Sequence, residues 1–104
     1  MEEFSIYNGL VFEQTCFACP EQYDVYKDDV IAGYVRLRWG HLRCYFPDVG
    51  GETIYEHCFD DDMQGMFWDE ESRELHLTAI SNAINAKLEE KKNVLQGNWK
   101  QRCR

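Results

Sequence analysis

Apolar and polar residues alternate along much of the chain up to residue 59, and this period of two predicts β-strands. The clearest alternation spans residues 30–39, directly after a turn signal at Asp28-Asp29. The apolar positions of this segment are Ile31, Val35, Leu37 and Trp39, and the polar side carries Tyr34, Arg36 and Arg38. Shorter β-like segments cover residues 9–16, 22–27, 41–46 and 52–59.

A two-residue turn at Gly40-His41 joins the two central strands, because glycine at the first turn position favours a type II′ hairpin. This register places Arg38 directly opposite Arg43. A like-charge pair across two strands lowers stability unless an anion or a carboxylate lies over it. The second strand adds Leu42, Cys44 and Phe46 to the apolar side, and Arg43 and Tyr45 to the polar side.

The last third of the chain has the spacing of an amphipathic helix. Asp69 is a suitable N-cap, and Glu70 and Glu71 favour the positive end of the helix dipole. We expect a helix of about 20 residues that ends near residue 92, followed by a basic, flexible tail at residues 93–104. The apolar positions of the helix are Leu77, Ile80, Ala83, Ile84 and Leu88.

These elements predict a single α+β domain at residues 1–92, in which an antiparallel β-meander of four or five strands packs on one C-terminal α-helix. A chain of 104 residues has room for one modest core, and 44% hydrophobic residues are enough to build it. No internal repeat and no low-complexity linker indicates a second domain.

Charge is distributed unevenly along the chain. Residues 1–86 hold 5 basic and 17 acidic residues, a net charge of −12, whereas residues 87–104 hold 6 and 2, a net charge of +4. A domain this acidic repels nucleic-acid phosphates and anionic membrane surfaces at long range. The charge therefore favours a protein partner with a basic surface.

The first residues lack the basic start and the continuous apolar run of a secretory signal. No segment reaches the roughly 18 to 20 apolar residues that cross a bilayer, so we expect a cytoplasmic protein. An odd number of cysteines without an export signal indicates thiols rather than a disulfide framework. The five cysteines are Cys16, Cys19, Cys44, Cys58 and Cys103.

Residues 60–71 resemble the twelve-residue calcium loop of EF-hand proteins. Carboxylate, amide and backbone oxygens suit this hard cation, and Gly65 supplies the sharp turn at the sixth position. The candidate ligands are Asp60, Asp62, Gln64, the carbonyl of Met66, and Glu71. The alternative is a solvated acidic loop whose carboxylates favour the N-terminus of the following helix.

Cys16 and Cys19 have the spacing of a zinc knuckle, and Cys44 and Cys58 could complete a tetrahedral site. These last two are 14 positions apart on separate predicted strands, so we rank zinc below calcium and prefer packing thiols. No histidine has the spacing to a nucleophile that a known catalytic motif requires. We therefore expect no enzymatic activity and no required cofactor.

The stretches CPEQYDVYKDDVIAGYVRLRWG and GGETIYEHCFDD, together with the C-terminal helix, resemble small proteins of bacteriophages, prophages and mobile elements of Gram-positive bacteria. The resemblance spans roughly residues 8 to 90 and rests on these phrases rather than on a catalytic motif. The group has no established activity. The resemblance implies an accessory protein of a phage or mobile element, in the cytoplasm of a bacterial host, that inhibits a host defence or nucleic-acid-handling system.

Three hypotheses for function follow. The first is a non-enzymatic interaction module that binds a basic partner through Asp60, Asp61, Asp62, Asp69, Glu70, Glu71 and Glu74. The second is a binder of single-stranded nucleic acid that uses Tyr34, Arg36, Arg38, Arg43 and Tyr45. We rank it lower, because we expect the protein's own abundant carboxylates, for instance within residues 60–62 or 70–74, to neutralise the arginines. The third is a calcium- or zinc-binding domain. An exposed edge strand could also pair two copies into a homodimer.

Overall fold

The computed structural model describes the backbone of residues 3–18 and 20–96, with the side chains of residues 4–18 and 20–90. An antiparallel six-stranded sheet, in the order of the chain, is followed by one helix. The elements are β1 (Glu3–Tyr7), β2 (Leu10–Phe17), β3 (Glu21–Lys27), β4 (Val30–Arg38), β5 (His41–Phe46), β6 (Glu52–Cys58) and α1 (Glu70–Gln96). The α+β meander is confirmed, with six strands rather than four or five.

The additional strand is β1, which pairs with β2 through a two-residue turn at Asn8-Gly9. Both turn residues have positive φ, 51° for Asn8 and 80° for Gly9. Asparagine followed by glycine between β-forming residues is a strong hairpin signal, because both residues tolerate this left-handed conformation. That signal in the sequence was sufficient to find β1.

The central hairpin turns one residue earlier than the sequence predicts. Trp39 and Gly40 form the turn, with φ values of 54° and 74°, so Arg38 pairs with His41. Arg36, not Arg38, therefore lies opposite Arg43. Trp39 leaves the apolar face as a consequence, and its side chain is 59% exposed.

The core lies between one face of the sheet and α1. A β-bulge in β4 modifies the predicted pattern, because Ile31 pairs with Tyr26 while Ala32 is buried. The buried apolar residues of the strands are Leu10, Phe12, Tyr23, Val25, Ala32, Val35, Leu37, Leu42, Cys44 and Phe46. Phe67 of the preceding loop and Leu77, Ile80 and Ile84 of α1 complete this core.

The helix begins as predicted, since Asp69 Oδ1 accepts a hydrogen bond from the backbone N–H of Ser72 at 2.7 Å. It continues to Gln96, so its predicted end near residue 92 is too early and residues 93–96 are helical. Residues 97–104 of the predicted tail lie outside the described part. At Gly33 a Cβ atom would stand only 2.8 Å from Ile84 Cδ1, so glycine permits the close approach of the helix.

Glu21 is fully buried and links three elements at the start of β3. Its carboxylate accepts hydrogen bonds from Arg73 Nε at 2.8 Å, the backbone N–H of Phe67 at 2.9 Å, and the hydroxyl of Tyr23. Arg73 lies in the first turns of α1, where it also pairs with Glu70. One buried carboxylate thus joins the sheet, the loop before the helix, and the helix itself.

The loop between β6 and α1 is fixed to the turn of the central hairpin by backbone hydrogen bonds. Gly40 N–H donates to the carbonyl of Gln64 at 2.8 Å, and Phe59 N–H donates to the carbonyl of Gly40 at 2.8 Å. A Cβ atom on Gly40 would lie 2.6 Å from the carbonyl oxygen of Asp61. Glycine is therefore required at this position both for its φ value and for space.

Within residues 3–18 and 20–96, no helix has both the length and the apolar character that crossing a bilayer requires.

We predict that Arg73→Met lowers the free energy of unfolding by about 3 kcal/mol, because it leaves the buried Glu21 carboxylate without its cation. Urea denaturation measures this change. The double variant Glu21→Gln with Arg73→Met should recover part of the loss, since it removes the unpaired charge. Arg43→Met is the matched control, because its pair with Glu56 is exposed and solvent screens it. Equal midpoints for the two single variants would contradict the role of this ion pair.

Candidate functional site

The acidic segment, residues 60–74, carries seven carboxylates, and all of them are exposed. Four of them have structural partners. Asp61 and Asp69 accept backbone N–H groups, while Glu70 pairs with Arg73 and Glu74 accepts the hydroxyl of Tyr7. Among the described residues, no ion pair or hydrogen bond engages the side chains of the other three, Asp60, Asp62 and Glu71.

A groove of about 220 Å³ lies within the acidic segment. Phe59 and Trp68 supply its aromatic walls, and Asp60, Asp61 and Asp69 line it as well. The side chain of Trp68 is 66% exposed. An exposed indole beside several carboxylates is a suitable environment for a cationic side chain, which it attracts through both charge and the π-face.

The calcium interpretation is not supported by the arrangement of its five ligands. Gln64 is buried, and its Nε2 donates to the carbonyl of Met66 at 2.9 Å, so two of the ligands bond to each other. In the described part of the chain, no group of three or more His, Cys, Asp or Glu side chains could hold a metal ion. The loop geometry fits the alternative, an acidic loop that leads into a capped helix.

The cysteines do not converge either. Cys44 is buried on the helix side of the sheet, and burial raises the pKa of its thiol to about 12. Cys16 on β2 and Cys58 on β6 are separated by four strand spacings, roughly 19 Å. All three are free thiols, whereas Cys19 and Cys103 lie outside the described residues.

The face of the sheet opposite α1, here called the open face, carries the arginines and tyrosines that the sequence singled out. Tyr34 pairs with Tyr45 across β4 and β5, and their rings stack with centroids 6.1 Å apart. Arg36 and Arg43 form the next cross-strand pair. Among the described residues, no helix packs on this face.

Among the described residues, the expected neutralisation by the protein's own carboxylates is found at Arg43 alone, and it comes from outside the acidic segment. Arg43 Nε lies 3.0 Å from Glu56 Oε2, a carboxylate of β6. Neither Arg36 nor Arg38 forms an ion pair with any carboxylate of the described part. The guanidinium of Arg38 lies instead 5.7 Å from the centre of the Trp39 ring.

A cavity of about 430 Å³ lies between β1, β2 and the start of α1. Its charged side chains are all engaged within the protein. Tyr7 donates to Glu74 at 3.0 Å, and burial together with this carboxylate raises the pKa of Tyr7 to about 12. Arg73 is engaged by Glu21 and Glu70. This cavity is therefore part of the ion-pair network that fixes the helix.

Sequence reasoning missed an aromatic and histidine cluster beneath the loop before α1. His76 is buried and stacks on Phe67, while its Nδ1 lies 2.9 Å from the hydroxyl of Tyr55. The ring of His57 lies 4.5 Å from that of His76. Burial, and then the neighbouring His57, lower the pKa of His76. No sequence spacing links positions 57 and 76, so only the packing of α1 on β6 reveals this cluster.

Comparison with family models, with curated proteins and with solved structures found no match.

We predict that the fold loses stability as the pH falls below about 6.5, because unfolded histidine binds a proton there while folded His76 stays neutral. One such group contributes at most about 1.4 kcal/mol per pH unit, and the loss ends at the folded pKa of His76. Urea midpoints between pH 8 and pH 5 measure it. His76→Phe should flatten the profile, whereas the control His41→Gln, at a half-buried histidine away from this cluster, should not. Parallel profiles for wild type and His76→Phe would refute this assignment.

Proposed function

We propose that this protein is a non-enzymatic interaction module whose acidic segment binds a basic surface of a partner protein. The observation that supports this function best is the exposed Trp68 in a groove that three carboxylates line, of which Asp60 has no partner among the described residues. Tryptophan, methionine and other large apolar side chains are typical of interface centres, and charged residues are typical of interface rims. The acidic segment has this composition.

The apolar part of this surface consists of residues that the core does not use. Trp68 and Leu75 are each 66% exposed, although the apolar face of α1 is well buried. Exposed apolar groups rimmed by charge are a signature of protein-binding sites. We infer that Trp68 is the anchor of the interface and that an arginine or lysine of the partner occupies its groove.

The charged part selects the partner. Asp60, Asp62 and Glu71 are free to pair with incoming cations without breaking an internal contact, so binding leaves the loop structure unchanged. Their long-range field also raises the association rate for a basic protein, most strongly at low salt. Together with the resemblance in the sequence, this supports an accessory role in a phage or mobile element, as an inhibitor of a nucleic-acid-handling protein in the host cytoplasm.

We predict that an arginine-rich peptide quenches or shifts the fluorescence of Trp68 in a variant that carries Trp39→Phe and Trp99→Phe, which leaves Trp68 as its one tryptophan. In the wild-type background, Trp68→Ala should weaken peptide binding by about 30-fold, as for an interface hot spot of about 2 kcal/mol. Trp39→Ala is the matched control, since Trp39 is a similarly exposed indole outside the acidic segment. A glutamate-rich peptide serves as the ligand control.

Two triple variants that remove the same number of charges distinguish a specific binding site in the acidic segment from attraction by the overall negative charge. Asp60→Asn, Asp62→Asn and Glu71→Gln together remove three charges within the acidic segment. Asp28→Asn, Asp29→Asn and Glu89→Gln together remove three charges elsewhere. Only the first triple variant should weaken peptide binding strongly. Equal effects of both triple variants, or no effect of Trp68→Ala, would mean that the acidic segment is not a specific site.

A further inference from the structure

We propose that a second site, on the open face, binds a nucleoside monophosphate or a similarly small phosphate ester that carries a flat ring. The site combines the arginine cluster, which consists of Arg36, Arg38 and Arg43, with the exposed ring of Trp39. Of the acidic segment only Met63 and Gly65 border this site, and its ligand has the opposite charge to the partner proposed for that segment.

Strand pairing gathers the positive charge of this site. Arg36 lies opposite Arg43, and Arg38 lies opposite His41 in the neighbouring pair of the same hairpin. Pairs on one face are about 7 Å apart along the strands, and directly paired residues about 5 Å apart across them. All four side chains, together with Trp39, line one hollow of about 170 Å³.

The charge balance of this hollow fits a phosphate dianion. Glu56 neutralises Arg43, and its Oε2 also lies 3.9 Å from His41 Nε2. Arg36 and Arg38 have no ion-pair partner among the described carboxylates, so two positive charges are uncompensated. A phosphate monoester carries a charge of about −1.5 to −2 at pH 7 and accepts several charge-assisted hydrogen bonds. Bound phosphate would compensate the charges of Arg36 and Arg38.

A second hollow adjoins the first and is suited to the ring of the ligand. Arg38 and Trp39 line both hollows, and Met63 and Gly65 close the second one, which has a volume of about 190 Å³. Trp39 is held in the turn with its ring 59% exposed. Indole rings bind nucleobases by stacking, with little dependence on which base is bound. The two hollows together therefore match a phosphate joined to a base.

The charge of the whole domain selects a small ligand over a polymer. A long strand would bring many phosphates near a surface whose net charge, over residues 1–86, is −12. A mononucleotide brings only one phosphate, so its total repulsion from the acidic surface is much smaller than that of a strand. On the open face, Asp24 lies in the same cross-strand row as Tyr34 and Tyr45. Its carboxylate would repel a phosphate backbone that extends along the sheet.

Isothermal titration of the full chain with the four nucleoside monophosphates, inorganic phosphate, an unphosphorylated nucleoside and an eight-nucleotide DNA strand tests this proposal. We expect monophosphates to bind more tightly than phosphate or nucleoside alone, with affinity that falls as salt rises. Arg36→Gln with Arg38→Gln should weaken binding at least about tenfold. Trp39→Ala should weaken the binding of monophosphates but not the binding of inorganic phosphate. Trp68→Ala is the matched control, and it should change neither.

Three results would overturn the proposal. These are monophosphate binding weaker than about 1 mM, binding that survives Arg36→Gln with Arg38→Gln, and a DNA strand that binds more tightly than the monophosphates. The last result would indicate a single-strand platform on the open face instead. The arginine-rich peptide should bind the variant Arg36→Gln with Arg38→Gln as tightly as it binds the wild type. Failure of the phosphate site can therefore be told apart from failure of the acidic site.

Discussion

The buried carboxylate of Glu21 holds the sheet, the helix and the loop between them together. An isolated charge in a core costs several kcal/mol, so it is retained only where a cation and hydrogen-bond donors surround it. Arg73, Tyr23 and the backbone N–H of Phe67 meet that requirement. Because these donors belong to the helix, the sheet and the loop, the three elements can satisfy the carboxylate only in one arrangement.

That arrangement also creates the two candidate sites. With Phe67 held against Glu21, the backbone of residues 60–66 lies over the turn of the central hairpin, where Gly40 bonds to Gln64. The same loop exposes Trp68 on one side and brings Met63 beside Trp39 on the other. A negative surface and a positive one therefore lie near each other without neutralising each other, since the arginine side chains extend from the open face.

The alternating pattern was a sound guide to the strands, and the N-cap at Asp69 was a sound guide to the start of the helix. The alternating pattern failed at the central hairpin, where Gly40-His41 satisfies the local rule for a two-residue turn and Trp39-Gly40 does not, since Trp39 has a positive φ that bulky residues rarely adopt. The choice between them depends on Asp61 and Gln64, which are more than 20 positions away and pack against Gly40. The position of the turn also determines the arginine cluster on the open face, because it exposes Trp39 and pairs Arg36 with Arg43.

The sequence by itself determined the α+β class, the meander, the helix and the separation of charge along the chain. These properties follow from local periodicity and from residue counts. Tertiary structure alone decided that Glu21 is buried, that His57 and His76 meet, and that Arg36 and Arg38 stay without a described carboxylate. Each of these depends on contacts between residues distant in sequence. Since a buried charge is costly unless it is paired, only folds that supply its partners are stable.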